Sequence, residues 1–327
     1  MEVAGREVRV SNPDKVLFPK AGHTKMDVVR YFVAVGEAVV HGARDRPTVM
    51  RRFPDGIRGE AFYQKRVPKS RPEWLETVRI TFPSGREADE LVMADVAHLI
   101  WMANLASLEL HPWPVRKTDV DHPDELRVDL DPTPKIPFAS VRKVALMCRD
   151  LLEELGLRGF PKTSGKRGIH ILVRIEPRWE FPVVRRAALA LAREVERRTN
   201  LATTAWWKEE RRGVFVDYNQ NARDRTVASA YSIRPVEDAR VSFPVRWDDV
   251  EGVDPREFRL DTVPALVEER GDALQGIDDQ AGSLETLLEW SERDEQEGLA
   301  DAPWPVHHPK MPGEPTRVAP SRARKPK

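Results

Sequence analysis

Long apolar segments are the first feature that this sequence lacks. No run approaches the ~18 residues that a transmembrane helix needs, and the first ten residues, MEVAGREVRV, lack the apolar stretch of a secretory signal. The chain has a single cysteine, Cys148, which excludes an internal disulfide and a cysteine-based zinc site. These features predict a cytoplasmic protein in which Cys148 is a small buried residue on a helix.

Net charge is also missing, because 53 basic side chains balance 53 acidic ones. Basic and acidic residues are nevertheless concentrated in different parts of the chain. Residues 1–80 carry a net charge of +6, residues 248–303 carry −14, and residues 304–327 combine six basic side chains with six prolines. This separation predicts a basic working face for an anionic partner and an acidic segment elsewhere. The neutral overall pI mildly disfavours tight, nonspecific duplex binding.

The most informative stretch is RVDLDPTP, residues 127–134. Side chains alternate along a strand, so Asp129 and Asp131 should leave the same face. Two neighbouring carboxylates repel each other unless a cation lies between them, which indicates a divalent metal site. The alternative for this stretch alone is an Asp-Pro turn at the end of a strand.

The surrounding segments alternate between strand and helix patterns. Helical periodicity covers residues 24–42, with Thr24 as the N-cap, and residues 94–110. After the strand RVDLDP, the sequence predicts a helix that ends near Gly156, the strand GIHILVRI, a helix over 181–199 and the strand GVFVDY. This order predicts a sheet with helices covering at least one face.

A third carboxylate, Asp217, ends the strand GVFVDY. If this strand lies beside RVDLDP, the three carboxylates can hold two Mg²⁺ or Mn²⁺ ions with open positions for substrate oxygens. Taken alone, Asp217 is the ordinary exit residue of a strand. As a trio with Asp129 and Asp131, it favours phosphoryl-transfer chemistry.

Between these strands, KTSGKRGIH resembles a loop that binds phosphate oxygens through backbone N–H groups and cations. It differs from a Walker A loop, because it lacks the GxxxxGK[ST] order and precedes a strand. His170 follows this loop; a lone histidine at a strand edge is more often structural, but its position favours a functional role here. Polar residues after Asp217, in DYNQNARDR and AYSIRP, suit a triphosphate or a nucleic-acid strand.

Five ordered motifs, LFP…TK, RVDLDP, TSGKRGIH, VFVDYNQN and AYSIRP, resemble the polymerase domain of bacterial DNA ligase D, a member of the archaeo-eukaryotic primase superfamily. The resemblance runs from about residue 10 to residue 290. It implies an α+β fold, with an RRM-like antiparallel or mixed sheet flanked by helices and an N-terminal α/β subdomain. The remaining length leaves no room for a fused ligase, so a stand-alone member is expected.

The resemblance also implies roles for individual residues. The metal ligands would be Asp129, Asp131 and Asp217. The residues that hold the incoming nucleotide would be His111, Ser164, Lys166, Arg167, His170, Gln220 and Arg234. The family typically has lysine where this chain has Arg167, and an arginine keeps the charge but changes the geometry.

A second group of residues is implied to bind the DNA end. Lys15, Lys25 and Arg52 align with basic residues that hold a 5′-phosphate, and Phe62 and Tyr63 align with an aromatic pair that stacks on template bases. Without the resemblance, each lysine would be interpreted as a solvated surface charge.

The predicted organisation is one bilobed domain over residues 1–290. Its parts are a DNA-end-binding part at about 1–115, a catalytic core at about 116–245 and an acidic wrapping segment at about 246–300. A flexible tail is expected over 304–327.

The predicted function is template-dependent nucleotide addition to a 3′-hydroxyl during gap filling in DNA repair. It would use nucleoside triphosphates, with ribonucleotides preferred, and two divalent metal ions, Mn²⁺ or Mg²⁺. The expected partners are broken or gapped DNA with a 5′-phosphate, a separate ligase and other end-joining proteins, with the chain itself a monomer. The alternatives are a DNA-end-binding module without catalysis and a two-metal nuclease.

Overall fold

The computed structural model describes residues 1–308. Within this range the helices are α1 Lys25–Ala34, α2 Gly36–Ala43, α3 Val96–Asn104, α4 Phe138–Glu154, α5 Phe181–Arg198, α6 Val263–Arg270 and α7 Glu285–Gln296. The strands are β1 Glu2–Val3, β2 Arg6–Glu7, β3 Val16–Phe18, β4 His23–Thr24, β5 Pro47–Arg52, β6 Phe62–Gln64, β7 Thr77–Thr81, β8 Glu87–Val92, β9 Ser107–Pro112, β10 Glu125–Pro132, β11 Gly159–Thr163, β12 Ile169–Arg174, β13 Ala202–Thr203 and β14 Val214–Val216. The mixture confirms the predicted α+β class.

The first large sheet has the order β11-β12-β10-β14-β13. Its pairs are antiparallel except β13 with β14, so the sheet is mixed, as predicted. The apolar residues of β10 alternate with polar ones, and helices α4 and α5 contact both β10 and each other. These two helices therefore cover the apolar face, and the charged side chains of β10 leave the opposite face. Cys148 is fully buried in α4, as predicted.

The second large sheet belongs to the N-terminal part of the chain. Strand β5 pairs with β9 along one edge, and with β8 and then β6 along the other, while β7 pairs with β8. The first helix begins with a capping box, in which Thr24 and Asp27 bond to each other's backbone N–H groups, as the N-cap prediction required.

Two helix predictions in this part are wrong in extent. The segment 24–42 is two helices, because the chain leaves helical geometry at Val35. The segment 94–110 ends as a helix at Asn104, passes through Ala106 with a φ of +57°, and continues as strand β9. Apolar residues in β9 fit either periodicity, and pairing with β5 over its length decides for the strand.

The acidic segment 246–300 packs against the core mainly through α7 and α5. Asp294 is buried and pairs with Arg193 at 3.5 Å and also with Arg197, which shows where part of the acidic charge is neutralised. At its end, Trp304 lies over the Arg185 guanidinium at 4.1 Å. The predicted flexible tail begins at 304; its residues 309–327 lie outside the described residues. Within 1–308, no helix is both long and apolar enough to cross a membrane.

Glu90 is a buried acid in β8 with only part of its hydrogen-bonding capacity used. Its Oε2 accepts a hydrogen bond from Trp113 Nε1 at 2.8 Å, and its Oε1 has no partner. Burial raises the pKa of the Glu90 carboxyl to about 8, although the Trp113 hydrogen bond acts in the opposite direction. The folded chain therefore keeps a proton at neutral pH that the unfolded chain has already lost.

We expect Glu90→Gln to remove a loss of stability that wild type undergoes between about pH 5 and pH 8. Across this range the unfolded glutamate has lost its proton while folded Glu90 keeps one, so the free energy of unfolding falls by about 1.4 kcal/mol per pH unit, or about 3–4 kcal/mol in total, and levels off once folded Glu90 deprotonates near pH 8. Glutamine keeps the acceptor for Trp113 and does not titrate. Urea unfolding of both proteins at several pH values measures the difference, with the exposed Glu73→Gln as control. Equal pH slopes for wild type and Glu90→Gln would contradict the assignment.

Candidate active site

The three predicted metal carboxylates lie at adjoining positions of the mixed sheet. Asp129 and Asp131 leave the same face of β10, and Asp217 directly follows β14. Strands β10 and β14 are paired, with Leu130 opposite Val216, and the backbone N–H of Asp217 donates to the carbonyl of Asp129 at 2.8 Å. The structure therefore brings together the two strands whose proximity the sequence argument required.

Ionisation of all three carboxylates is electrostatically unfavourable when no cation is bound between them. Burial and the neighbouring charges of Asp131 and Asp217 raise the pKa of Asp129 well above its ordinary value. Burial and Asp131 also raise the pKa of Asp217 to about 6, while the Arg211 guanidinium acts to lower it. Asp129 and Asp217 resist ionisation first because they are buried and then because a neighbouring carboxylate is charged, and divalent cations relieve this repulsion.

The carboxylate oxygens fit the ligand preference of Mg²⁺ or Mn²⁺. Asp129 Oδ1 is buried, lies 3.3 Å from His170 Nε2 and accepts no hydrogen bond, so it has free capacity for a cation. Within residues 1–308, no three His, Cys, Asp or Glu side chains form a compact ligand cluster. The trio would therefore need substrate or water oxygens to complete a metal coordination shell.

The predicted phosphate loop, residues 164–168, connects β11 to β12 as a tight hairpin. Ser164 Oγ accepts hydrogen bonds from the backbone N–H groups of Gly168 at 3.0 Å and Lys166 at 3.3 Å. A Cβ on Gly165 would lie 2.4 Å from Arg234 Cγ, and one on Gly168 would lie 2.5 Å from the carbonyl oxygen of Leu130. The two glycines thus let the loop backbone pack directly against Arg234 and β10.

This loop, the carboxylates and the polar segment after Asp217 enclose a cleft of 360 Å³. All seven residues predicted to hold a nucleotide line it, together with two of the three carboxylates: His111, Asp129, Asp131, Ser164, Lys166, Arg167, His170, Gln220 and Arg234. Asp217 stands beside this cleft, where it interacts with Asp131 and hydrogen-bonds to Gln220 at 3.2 Å. Two larger cavities contain none of the predicted site residues; one lies between the segments 149–161 and 245–275, and the other lies along residues 243–273.

His111 has two buried ring nitrogens, neither with a hydrogen-bond partner. Its Nε2 lies 3.9 Å from Glu109, and burial lowers the pKa of its imidazole. A neutral imidazole at the edge of the cleft with both nitrogens unused can donate one hydrogen bond to a ligand and accept another.

Three further residues of the site were missed by the sequence analysis. Glu109 is buried beneath the cleft, with Arg234 Nε at 3.0 Å and Arg51 at 2.6 Å. Lys162 is fully buried and its Nζ lies 2.8 Å from His170 Nδ1. Arg211 interacts with Asp131 and Asp217. For Glu109 and Lys162 the available signal was a charged residue inside a strand, since such residues are seldom buried without a partner, whereas Arg211 lies between strands β13 and β14 and gave no such signal.

The three basic residues predicted to bind a DNA 5′-phosphate form a second group in the N-terminal part. Lys25 is buried and donates from Nζ to the carbonyl of Ser11 at 2.7 Å. Burial first, and then the charges of Lys15 and Arg52, lower the pKa of Lys25. Cations held close together in this way favour an anion between them. Lys15 pairs with Asp55 at 2.9 Å, in an exposed contact that a phosphate could replace.

The predicted aromatic pair lies on β6 near these basic residues. Phe62 and Tyr63 are 43% and 56% exposed, which is unusual for large rings. Arg52 lies over the Phe62 ring at 5.3 Å, and Tyr63 meets His111 edge-on at 5.4 Å between ring centres. The exposed aromatic surface is therefore continuous with one wall of the cleft.

The fold and this cleft define the class of the protein. An acidic trio on a mixed sheet beside a basic, glycine-containing loop is the arrangement of a DNA-directed nucleotidyltransferase of the primase-polymerase type. The chain belongs to the family described as LigD, primase-polymerase domain, whose model matches residues 24–274.

Solved and curated relatives support this membership. The polymerase domain from Mycobacterium tuberculosis ligase D, solved in complex with DNA, superposes with a TM-score of 0.78 at 30% identity and covers 84% of this chain and 99% of that one. Multifunctional non-homologous end joining protein LigD of Mycolicibacterium smegmatis is 34% identical over 86% of this chain, and the Bacillus subtilis bifunctional protein is 28% identical over 81%. This chain spans 37% and 43% of the lengths of those two proteins.

Proposed function

We propose that this chain adds nucleotides to a primer 3′-hydroxyl under the direction of a template strand, and that it fills short gaps during DNA strand-break or excision repair. The observation that carries the proposal is the cleft itself, where an acidic trio faces a tight glycine loop and converging cations. Acidic and basic groups placed opposite each other are what transfer of a nucleotide from a triphosphate requires.

In the proposed reaction, the 3′-oxygen of the primer forms a bond to the α-phosphorus of the incoming nucleotide. The bond from that phosphorus to the bridging oxygen breaks, and pyrophosphate leaves with the electron pair. Bound at Asp129, Asp131 and Asp217, two divalent ions would lower the pKa of the primer hydroxyl and neutralise the leaving group. The hydroxyl proton leaves to water or to a carboxylate of the trio.

The chain's own contribution is to bind and orient the triphosphate. Ser164 Oγ accepts hydrogen bonds from the backbone N–H groups of Gly168 and Lys166, which fixes the shape of the loop that carries the basic side chains of Lys166 and Arg167. Arg234 is fixed by buried Glu109, so its charge is presented to the cleft with little loss of side-chain entropy. Gln220 and His111 add neutral hydrogen-bonding groups that could orient the phosphate and sugar.

The basic group Lys15, Lys25 and Arg52 is proposed to hold the 5′-phosphate on the downstream side of a gap, while Phe62 and Tyr63 stack on template bases. A preference for ribonucleotides and for Mn²⁺ is proposed from the family resemblance. A separate ligase would then seal the product, and the protein would act at chromosomal DNA in the bacterial cytoplasm. The names of the curated relatives place them in non-homologous end joining.

Primer extension on a duplex with a short gap tests this proposal. We expect extension that requires a divalent ion, follows the template base and increases when the downstream strand carries a 5′-phosphate. Parallel reactions with ribo- or deoxynucleotides, and with Mg²⁺ or Mn²⁺, measure the preferences. DNA binding without extension under every condition would support an end-binding module instead, and strand cleavage would support a nuclease.

A further inference from the structure

A second basic cavity adjoins the nucleotide cleft on the other side of the glycine loop. We name it the rear pocket; it has a volume of 480 Å³ and lies between the start of α4 and the segment 252–257. Five cationic side chains and two carboxylates line it: Arg142, Lys166, Arg167, Arg240 and Arg256, with Asp254 and Glu257. The excess of positive charge marks it as a site for an anion.

Two of these cations, Arg142 and Arg167, are held only weakly, whereas Arg256 pairs with Asp254 at 2.6 Å and Arg240 with Asp238 at 3.0 Å. Arg167 Nη2 donates to the carbonyls of Ile136 and Thr133 at 3.1 and 3.3 Å, and Arg142 Nη1 donates to the carbonyl of Val253 at 3.4 Å. Neither of these guanidinium groups has a carboxylate partner among the ion pairs of residues 1–308. Long bonds to neutral carbonyls satisfy the donors poorly, and the stronger acceptor oxygens of a phosphate would replace them.

The partition between the two cavities is thin. Lys166 and Arg167 line both cavities, because the loop that carries them is pressed against Arg234 on one side and β10 on the other through its two glycines. Lys166 and Arg167 are therefore shared between a phosphate group bound in the cleft and the rear pocket, and both side chains are long and flexible.

We propose that the rear pocket binds pyrophosphate after the transfer step, so that the leaving group passes from the cleft across Lys166 and Arg167. This inference rests on the proposed function, in which pyrophosphate is released in the cleft. A site for this product must be positively charged, must have room for pyrophosphate and must adjoin the cleft. The rear pocket meets all three requirements. Arg142 and Arg256 are assigned to the pocket alone, since neither lines the nucleotide cleft.

Calorimetric titration of pyrophosphate tests the proposal without catalysis. The chain is first saturated with a nonhydrolysable nucleoside triphosphate and Mg²⁺, without DNA, so that the cleft is occupied. Wild type should still bind one pyrophosphate, and Arg142→Gln combined with Arg256→Gln should weaken that binding by about tenfold or more. Arg149→Gln, on the same helix but outside both cavities, should bind like wild type.

Several outcomes would overturn the inference. They are no pyrophosphate binding by the nucleotide-saturated wild type, equal affinity in the double variant, or equal affinity for sulfate, which would identify an adventitious ion only. If the chain fails to bind the nucleotide at all, the proposed function fails separately. Titration of pyrophosphate into the unliganded wild type and double variant then still tests the pocket.

Discussion

Asp129→Asn and Asp131→Asn should each reduce nucleotide addition by at least ~10³-fold, because metal ions supply several kcal/mol of transition-state stabilisation that an amide cannot anchor. Asparagine keeps the size of the side chain, and the basic residues proposed to bind the DNA end, Lys15, Lys25 and Arg52 (the DNA-end group), lie elsewhere in the chain. DNA binding should therefore stay within about twofold of wild type. Single-turnover extension and fluorescence anisotropy with the same gapped DNA measure the two quantities.

The thermal stability of Asp129→Asn shows whether a loss of activity comes from the site or from misfolding. Burial and mutual repulsion raise the pKa of Asp129, so the ionised carboxylate destabilises the fold at neutral pH. Asp129→Asn should consequently unfold at the same or a higher temperature than wild type in the presence of a metal chelator. The exposed Asp150→Asn serves as the matched substitution. Retained extension in Asp129→Asn or Asp131→Asn would remove the catalytic assignment.

Lys15→Ala combined with Lys25→Met should abolish the stimulation of extension by a downstream 5′-phosphate. Each charged hydrogen bond to the phosphate contributes about 1.5–3 kcal/mol, so the affinity for phosphorylated gaps should fall by about 10–100-fold or more. Methionine replaces the buried stem of Lys25 without its charge. Extension of a simple primer end, with no downstream strand, should change much less.

Competition between gapped substrates with and without the 5′-phosphate measures this effect. Lys20→Ala removes an exposed positive charge from the same segment and should preserve the discrimination. An equal loss of activity on gapped and simple substrates would show that the two lysines act generally. In that case the DNA-end group would be a nonspecific basic surface rather than a phosphate pocket.

The sequence predicted best those elements whose pattern is local. Helices α4 and α5 have an apolar stripe at helical spacing, and β10 carries alternating charges, so each could be identified without knowing its neighbours. Strand β9 was predicted as helix because its conformation is decided by pairing with β5. Strand β11 was missed, since GFPKT contains both glycine and proline, and pairing with β12 compensates for both.

The site shows the same division between local and distant information. The motifs named the side chains that line the cleft, because spacing along strands fixes which residues share a face. They could not reveal Lys162 or Glu109, whose positions depend on the packing of distant segments behind the cleft. Nor could they reveal the rear pocket, which is formed by α4 and a loop more than a hundred residues later in the chain.

Anomalous diffraction is the most direct test of the central claim that the three carboxylates form a two-metal centre. Crystals would be soaked with Mn²⁺ and a nonhydrolysable nucleoside triphosphate. The account predicts two manganese peaks among Asp129, Asp131 and Asp217, with the triphosphate against the loop at Ser164. A triphosphate bound in the cleft with no manganese at the three carboxylates would contradict it.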